Sequence, residues 1–403
     1  MSRSAEAVIA GAGMAGLAVA HQLAVRGGVD RVVVVDPREP LSLTSSRGAE
    51  AYRNYWPGPD DTMTRFMDRS IDLLEAVDRE SKHAFALNRR GYVFLTADTT
   101  EAAKLAANAG PTAEFLGNGR DIRQRFPFVT ERAVAMLHAR RAGYMSAQAL
   151  GRWLLERSHR HGVEVVHDEA TDLITENGRL AGVRLASGER IDSRACVLAV
   201  GPHLPRWTSR LDLDVPIVNE LHSKISFEDD EGIVPRDAPM MIWNDPVELA
   251  GLGTFPGGVH LRPRGERSVL GIWTYETRVE EPQVEPVFPP QYADIVLGGL
   301  AAMIPALGVY RGRAAEAKID GGYYCKAPDN RPLIGPAGTP GVYLLGALSG
   351  FGIMASQAAA ELVAAHMLER PLPSYAAAFL PGRFADPTYR RSLAASDATQ
   401  GQL

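Results

Sequence analysis

The chain has 403 residues, 45% apolar and 23% charged, with 43 Lys plus Arg against 48 Asp plus Glu. At about 150 residues per domain that suggests two or three domains or one composite unit, with ample material for a core. The net charge of −5 supplies no basic excess for a phosphate backbone, no run approaches the length of a membrane span, and two cysteines (Cys196, Cys325) cannot build a disulfide scaffold or a multi-cysteine metal site.

From the N-terminus, residues 5–36 read as strand, tight turn, helix, strand. The opening enters that strand at once, leaving no room for a signal peptide, so a soluble cytoplasmic protein is expected. A polar stretch over 37–48 leads to a helical pattern over about 61–77, and 84–145 is mixed, with a strand at 91–95. Ser146 is placed to cap a helix running to about Gly162. The runs 163–166, 171–174, 179–185 and 190–192, with turns at Asn177-Gly178 and Ser187-Gly188, suggest a small antiparallel meander. A continuous apolar strand follows at 195–200, then several strands over 215–275 and a helix over about 291–304. The last third returns to a strand at 342–345 and a long alanine-rich helix over 349–368, and the tail after Pro371 reads as a loop over the surface.

Gly11-Ala12-Gly13-Met14-Ala15-Gly16 joins the first strand to the first helix. In such a turn the first glycine permits the bend, the second lets backbone approach a pyrophosphate, and the third lets helix and strand pack closely. The helix start offers free N–H groups to phosphates. Asp36, 20 residues beyond Gly16 at the end of the second strand, is placed for ribose hydroxyls, with Pro37 and Arg38 beside it. This is a dinucleotide fingerprint, and alone it does not choose between NAD and FAD.

Four further segments carry a resemblance. They are Thr44-Ser45-Ser46-Arg47-Gly48 with Tyr52-Arg53; the strands around 163–174 with 197–201; Asp329-Asn330-Arg331-Pro332-Leu333-Ile334-Gly335; and Gly346-Ala347-Leu348-Ser349-Gly350-Phe351-Gly352-Ile353-Met354. With these segments, over nearly its full length, the chain resembles the D-amino-acid oxidase superfamily, most closely the branch with monomeric sarcosine oxidase and glycine oxidase. The resemblance implies non-covalent FAD. The polar turn Thr44, Ser45, Ser46 and Arg47 would hold the pyrophosphate and lie along the isoalloxazine, while Ala170, Ala199 and Gly201 would meet the adenine end. The turn of Gly346, Ser349, Gly350, Phe351, Gly352, Ile353 and Met354 would aim a helix dipole at the flavin, where negative charge develops on reduction.

The implied fold is α/β in an α+β two-domain arrangement. A Rossmann-like FAD-binding domain (1–83, 146–212 and 318–370) is interrupted by a β-rich substrate domain with a mixed or antiparallel sheet (84–145 and 213–317), and 371–403 forms the tail. The implied activity is oxidation of a C–N bond in an amino acid or amine. Oxygen or another electron acceptor follows; no nucleic acid or membrane takes part, and the oligomeric state stays open. A dehydrogenase of a hydroxy acid or amine using a quinone or protein acceptor, and an assembly subunit in which FAD is structural or weakly catalytic, are the alternatives.

The chain departs from the family at informative positions. Family lysines that pair with substrate carboxylate or activate oxygen align with Met354 and Val269, and only five lysines exist to replace them: Lys82, Lys104, Lys224, Lys318 and Lys326. Loss of the family lysines weakens a small N-methyl amino acid as substrate and opens the site to larger or uncharged amines. Cys325 lies too close to Asp329 for the family's flavin-attachment cysteine, although a redox or attachment role stays open. Arg53 would take a substrate carboxylate, or serve an ion pair. His260 and Arg262 share a strand face; Tyr323, Tyr324 or Lys326 would reach the flavin, and Trp243 with Trp273-Thr274-Tyr275 would wall the pocket. Arg53, His260, Tyr324 and Lys326 are therefore the candidates for catalysis, and no metal is expected. An amine that binds neutral needs no protein base, so no His–Asp pair is expected either.

Overall fold

A computed structural model describes residues 3–58 and 60–394. Its first framework is a six-stranded sheet in the order Leu333–Pro336, Val342–Gly346, Cys196–Leu198, Ala7–Ala10, Val32–Val35, Glu164–Val166. All neighbours are parallel except Leu333–Pro336, which runs antiparallel at one edge. Four consecutive valines suit a strand covered on both faces. One set of alternate residues (Ala7, Ile9, Val32, Val34) packs with helices Met14–His21, Thr62–Glu80, Ala147–His159 and Gly352–Met367. The other set (Val8, Ala10, Val33, Val35) packs on a four-stranded sheet of Arg3–Ser4, Arg190–Asp192, Arg179–Leu185 and Ala170–Glu176.

Two expectations change here. The 163–166 run belongs to the parallel sheet beside Val32–Val35, not to the meander. It follows the helix Ala147–His159, and a helical crossover returns the chain parallel to the sheet it covers. The tail beyond Pro371 is also more than a surface loop. It forms two 3₁₀ turns, Ala376–Phe379 and Pro381–Ala385, and a helix, Pro387–Ala394; Phe379 and Phe384 are fully buried. Arg383 grips Asp329 through two N–H donors at 2.7 and 3.0 Å, and the Tyr389 hydroxyl donates to the same carboxylate at 2.7 Å. The rest of the expected tail, 395–403, lies outside the described residues.

The second framework is a nine-stranded mixed sheet. Its order is Arg278–Val279, Val218–Glu228, Ser268–Ile272, Val259–Arg264, Met240–Trp243, Tyr92–Thr96, Ala135–Ala139, Ala113–Leu116, with Lys318–Lys326 also paired along Val218–Glu228. Strand Lys318–Lys326, expected with the nucleotide-binding segments, thus sits in this sheet, and the chain leaves it only after Lys326. Period-two alternation sorts the side chains. Val93, Met241, Trp243, Leu261, Val269 and Trp273 bury one face against the helix Tyr292–Met303. The opposite face carries the register row Lys224, Ile272, His260, Ile242. Among the described residues no helix is long and apolar enough to cross a membrane.

Candidate functional site

A cavity of about 400 Å³ runs from the first glycine turn to that second face of the nine-stranded sheet. At its nucleotide end the walls are backbone. Gly11 has φ +105°, and a Cβ there would lie 2.3 Å from the Ala199 carbonyl oxygen, so no other residue fits. Gly16 serves packing alone: a Cβ on it would lie 1.9 Å from the Gly11 carbonyl oxygen. Asp36 accepts hydrogen bonds from the Ala12 N–H at 2.8 Å and the Arg38 N–H at 2.9 Å, fixing the turn. The Ser45 hydroxyl accepts from the Met14 N–H at 3.0 Å. Ala15, Pro37, Arg38, Thr44, Ala170, Ala199 and Gly201 complete this end.

The middle of the cavity is the turn 346–352. Ala347 and Ser349 hold left-handed backbone (φ 51° and 47°), and the Ser349 N–H donates to the Cys325 carbonyl at 2.9 Å. Gly346, Gly350, Phe351, Gly352, Ile353 and Met354 also line the wall, at the start of helix Gly352–Met367. A Cβ on Gly350 would stand 2.4 Å from the Tyr324 ring, so glycine here is what lets Tyr324 close against the turn.

The sheet end is made of side chains. Arg53 is buried with its guanidinium 4.8 Å from the centre of the Trp56 ring and 5.7 Å from that of Tyr92. Burial pulls its pKa down, while the Tyr92 and Tyr55 rings oppose that. His260 is buried, with Nδ1 2.8 Å from the Gly258 carbonyl. Nδ1 therefore carries the proton and Nε2 keeps its lone pair. Burial holds the ring neutral, with a pKa down at about 4, and Arg53 adds to that. Tyr324 is buried, and desolvation pushes its phenol up to about 12. Met240, Ile272 and Thr274 fill the remaining wall.

Several expected residues are elsewhere. Ser46 donates to the Leu43 carbonyl within its own turn, at 2.8 Å. Arg47 points away from the cavity, to the carbonyls of Val284 and Gly321. Lys326 does not line the cavity; its Nζ is 2.7 Å from Glu220. Arg262 shares a face with His260 but is held by Glu50 and the Ala49 carbonyl, both at 2.7 Å. Lys224 is buried against Asp320 at 2.9 Å. Val269, Trp243 and Trp273 lie on the apolar face of the sheet, where a lysine at 269 could not reach the cavity. Cys325 does line the wall, but burial raises its thiol to about 12 and leaves it inert. Among the described residues no cluster suits a metal.

A histidine–carboxylate pair that the sequence analysis does not single out stands at His222. Its Nε2 lies 3.2 Å from Glu220 and its Nδ1 lies 3.1 Å from the Thr274 hydroxyl. A signal was available: Glu220, His222 and Lys224 are polar at period two, on the face of the strand opposite Leu221 and Ile225. Tyr92 and Glu50, which also line the cavity, carry no comparable mark in the sequence.

The residues fit FAD. A cradle that a Cβ would fill, an acid beyond the second strand and a wall reaching from that turn to a second glycine turn suit an extended dinucleotide better than a compact ligand. Asp36 and Ser45 would hold its nucleotide portion, and the turn 346–352 its ring. No curated protein sequence matches the chain. Among solved structures, L-proline dehydrogenase from P. horikoshii superposes with a TM-score of 0.80 at 21% identity, covering 96% of this chain and 99% of that one. Glycine oxidase from Geobacillus kaustophilus follows at 0.79 and 16%, covering 94% and 98%. Iminodiacetate oxidase from Chelativorans sp. BNC1 superposes at 0.75 and 18%, covering 93% and 98%. At those identities the likeness shows the shared fold. The model of the DAO family, described as FAD dependent oxidoreductase, matches residues 6–366, and the chain belongs to that family.

Proposed function

We propose that the protein oxidises the C–N bond of a small amino acid or related amine, giving an imine that water hydrolyses, with oxygen as the electron acceptor and hydrogen peroxide as its product. The observation that carries this reading is the sheet end of the cavity, where a buried guanidinium and a neutral imidazole share one wall beside the 346–352 turn. Arg53 takes the carboxylate, for which a planar fork of donors is suited. His260 offers a lone pair at Nε2, which accepts a hydrogen bond from the amine. Tyr92, Trp56 and Tyr324 enclose the reacting carbon and exclude water. Bound FAD, held non-covalently, supplies the acceptor for the hydride that leaves that carbon. The nucleotide-binding segments and the nine-stranded sheet then act as cofactor and substrate domains.

A second reading, a dehydrogenase passing electrons to a quinone or protein, is favoured by one feature: no lysine lines the cavity among the described residues. The test uses the purified yellow protein under anaerobic conditions with glycine, L-proline, iminodiacetate and simple alkylamines. Bleaching near 450 nm by an amino acid supports the reading, and bleaching by none of them removes it. Mixing the bleached protein with air-saturated buffer then separates the two acceptors. Colour returning in seconds marks an oxidase, and return over many minutes a dehydrogenase.

A further inference from the structure

Behind the substrate wall lies a second polar system that the proposed reaction has not used. Strand Val218–Glu228 places Glu220 and His222 on its cavity-side face, and Thr274 follows the neighbouring strand Ser268–Ile272. Thr274 lines the cavity, half-buried, while His222 behind it is buried. The geometry fixes the protons. Glu220 is a carboxylate held well below its ordinary range, at about 2, chiefly by its hydrogen bond with His222 and further by Lys326 at 2.7 Å. An ionised carboxylate only accepts, so His222 carries its proton on Nε2 and donates it to Glu220. Nδ1 is then an acceptor, and the Thr274 hydroxyl donates to it. The remaining lone pairs of the Thr274 oxygen are free to accept. The Tyr324 ring stacks on the imidazole at 3.8 Å between centres, with planes 17° apart, and it also lies close against Gly350 of the glycine turn. The imidazole plane is thereby keyed to the turn that would hold the ring.

We propose that Thr274 takes the ammonium proton of the bound substrate, with His222 and Glu220 acting through it as positioning residues of a proton relay. The inference rests on the amine-oxidation reading. The N–H bond of the substrate ammonium breaks and its proton goes to the Thr274 oxygen. The proton already on Thr274 passes to His222 Nδ1, and the resulting imidazolium is held by the Glu220 carboxylate. No electrons change centres in this step; it frees the nitrogen lone pair that assists departure of the hydride.

The charged and titratable groups facing His222 are consistent with such a site. Glu220 favours the imidazolium; Lys326, beyond Glu220, opposes it. Tyr324 covers one face, and Tyr275, Glu276 and Arg278 line a small hollow that His222 shares with Thr274. Lys224 and Asp320 form a neutralising pair further along the same face, and His260 stands across the cavity wall, held neutral. Burial keeps His222 neutral at rest, the state a relay base requires.

The test is the pH dependence of anaerobic flavin bleaching at limiting substrate, in the holoenzyme and in Thr274→Val, His222→Gln and Glu220→Gln. The reductant is the best member of the panel above. At pH 7 Thr274→Val and His222→Gln should slow bleaching by about 100-fold, the size of a general-base contribution. Their rates should climb tenfold per pH unit toward the amine's own pKa, about 10 for an alkylammonium, so that the deficit closes. A deficit of the same size at every pH marks a structural role and overturns the relay while leaving amine oxidation intact. Flavin that no panel member bleaches overturns both. Nitrogen-15 NMR of histidine-labelled holoenzyme reads the relay without turnover. A His222 ring protonated at Nε2 supports it, and one protonated at Nδ1 overturns it.

Discussion

The two ends of the cavity are built from different materials. At the nucleotide end the wall is main chain, shaped by Gly11 in a left-handed conformation, with Asp36 tying the turn from outside. At the sheet end the wall is side chain, supplied by Arg53, Tyr92, His260, Thr274 and Tyr324 from five separate stretches of sequence. The first end should therefore fail when an atom is added, and the second when atoms are removed.

Adding one methyl group at Gly11 gives the largest expected effect. Gly11→Ala must leave φ +105° or push against the Ala199 carbonyl, so the purified protein should retain less than about a tenth of its flavin absorbance. A fully yellow variant would mean that this backbone does not form the cradle. Next comes Arg53→Met, which should raise KM for an amino-acid substrate by about 100-fold, the loss of a buried charge-assisted pair, with flavin content unchanged. Lysine at the same place should recover little, because a point charge does not replace a fork of donors. An Arg53→Met protein with unaltered KM would give the guanidinium a structural role, packed on Trp56 and Tyr92, in place of substrate binding.

Asp36→Ala is expected to weaken FAD retention by about tenfold, less than Gly11→Ala, since it removes ties to the turn without blocking it. Flavin titration of the apoprotein measures this, and an unchanged affinity would show the turn to be self-sufficient. The smallest effect lies away from both ends. His21 is buried against Trp153 with neither ring nitrogen hydrogen-bonded, and burial brings its pKa to about 4. Its folded pKa is below the unfolded 6.5, so the stability tied to its neutral form is present above 6.5 and is lost as pH falls toward 4. His21→Leu should raise Tm by a few degrees at pH 5 and by less at pH 8. Equal gains at both pH values would place the effect in packing, not titration.

The same contrast explains what was legible in the sequence. Gly11, Gly13, Gly16 and Asp36 form one contiguous pattern whose spacing encodes its geometry, and the turn 346–352 is equally local. Arg53, His260 and Tyr324 line the cavity as well: His260 is marked only by the alternation of its own strand, and Arg53 and Tyr324 stand near family motifs. Arg47 and Lys326 were misjudged for the same reason: they neighbour motif residues, yet one points to Asp320 and the other to Glu220. Which face of the nine-stranded sheet meets the cavity depends on register between strands as far apart as Tyr92 and Met240, and a sequence does not print register. Val269 falls on the apolar face, and His222 meets Thr274 across two strands, for that reason alone.

The order of strands in the six-stranded sheet has a consequence for how the protein is made. Ala7–Ala10 pairs with Val32–Val35 early, but its other neighbour, Cys196–Leu198, comes nearly two hundred residues later, and Val342–Gly346 later still. At 5–20 residues per second, a ribosome leaves that apolar edge open for roughly ten to forty seconds. An unpaired edge of that kind is a template for joining another chain. Overexpressed protein should therefore partition into inclusion bodies more readily at high synthesis rates, and slowed translation or a chaperone that shields nascent chains should recover yield without any change in the finished fold.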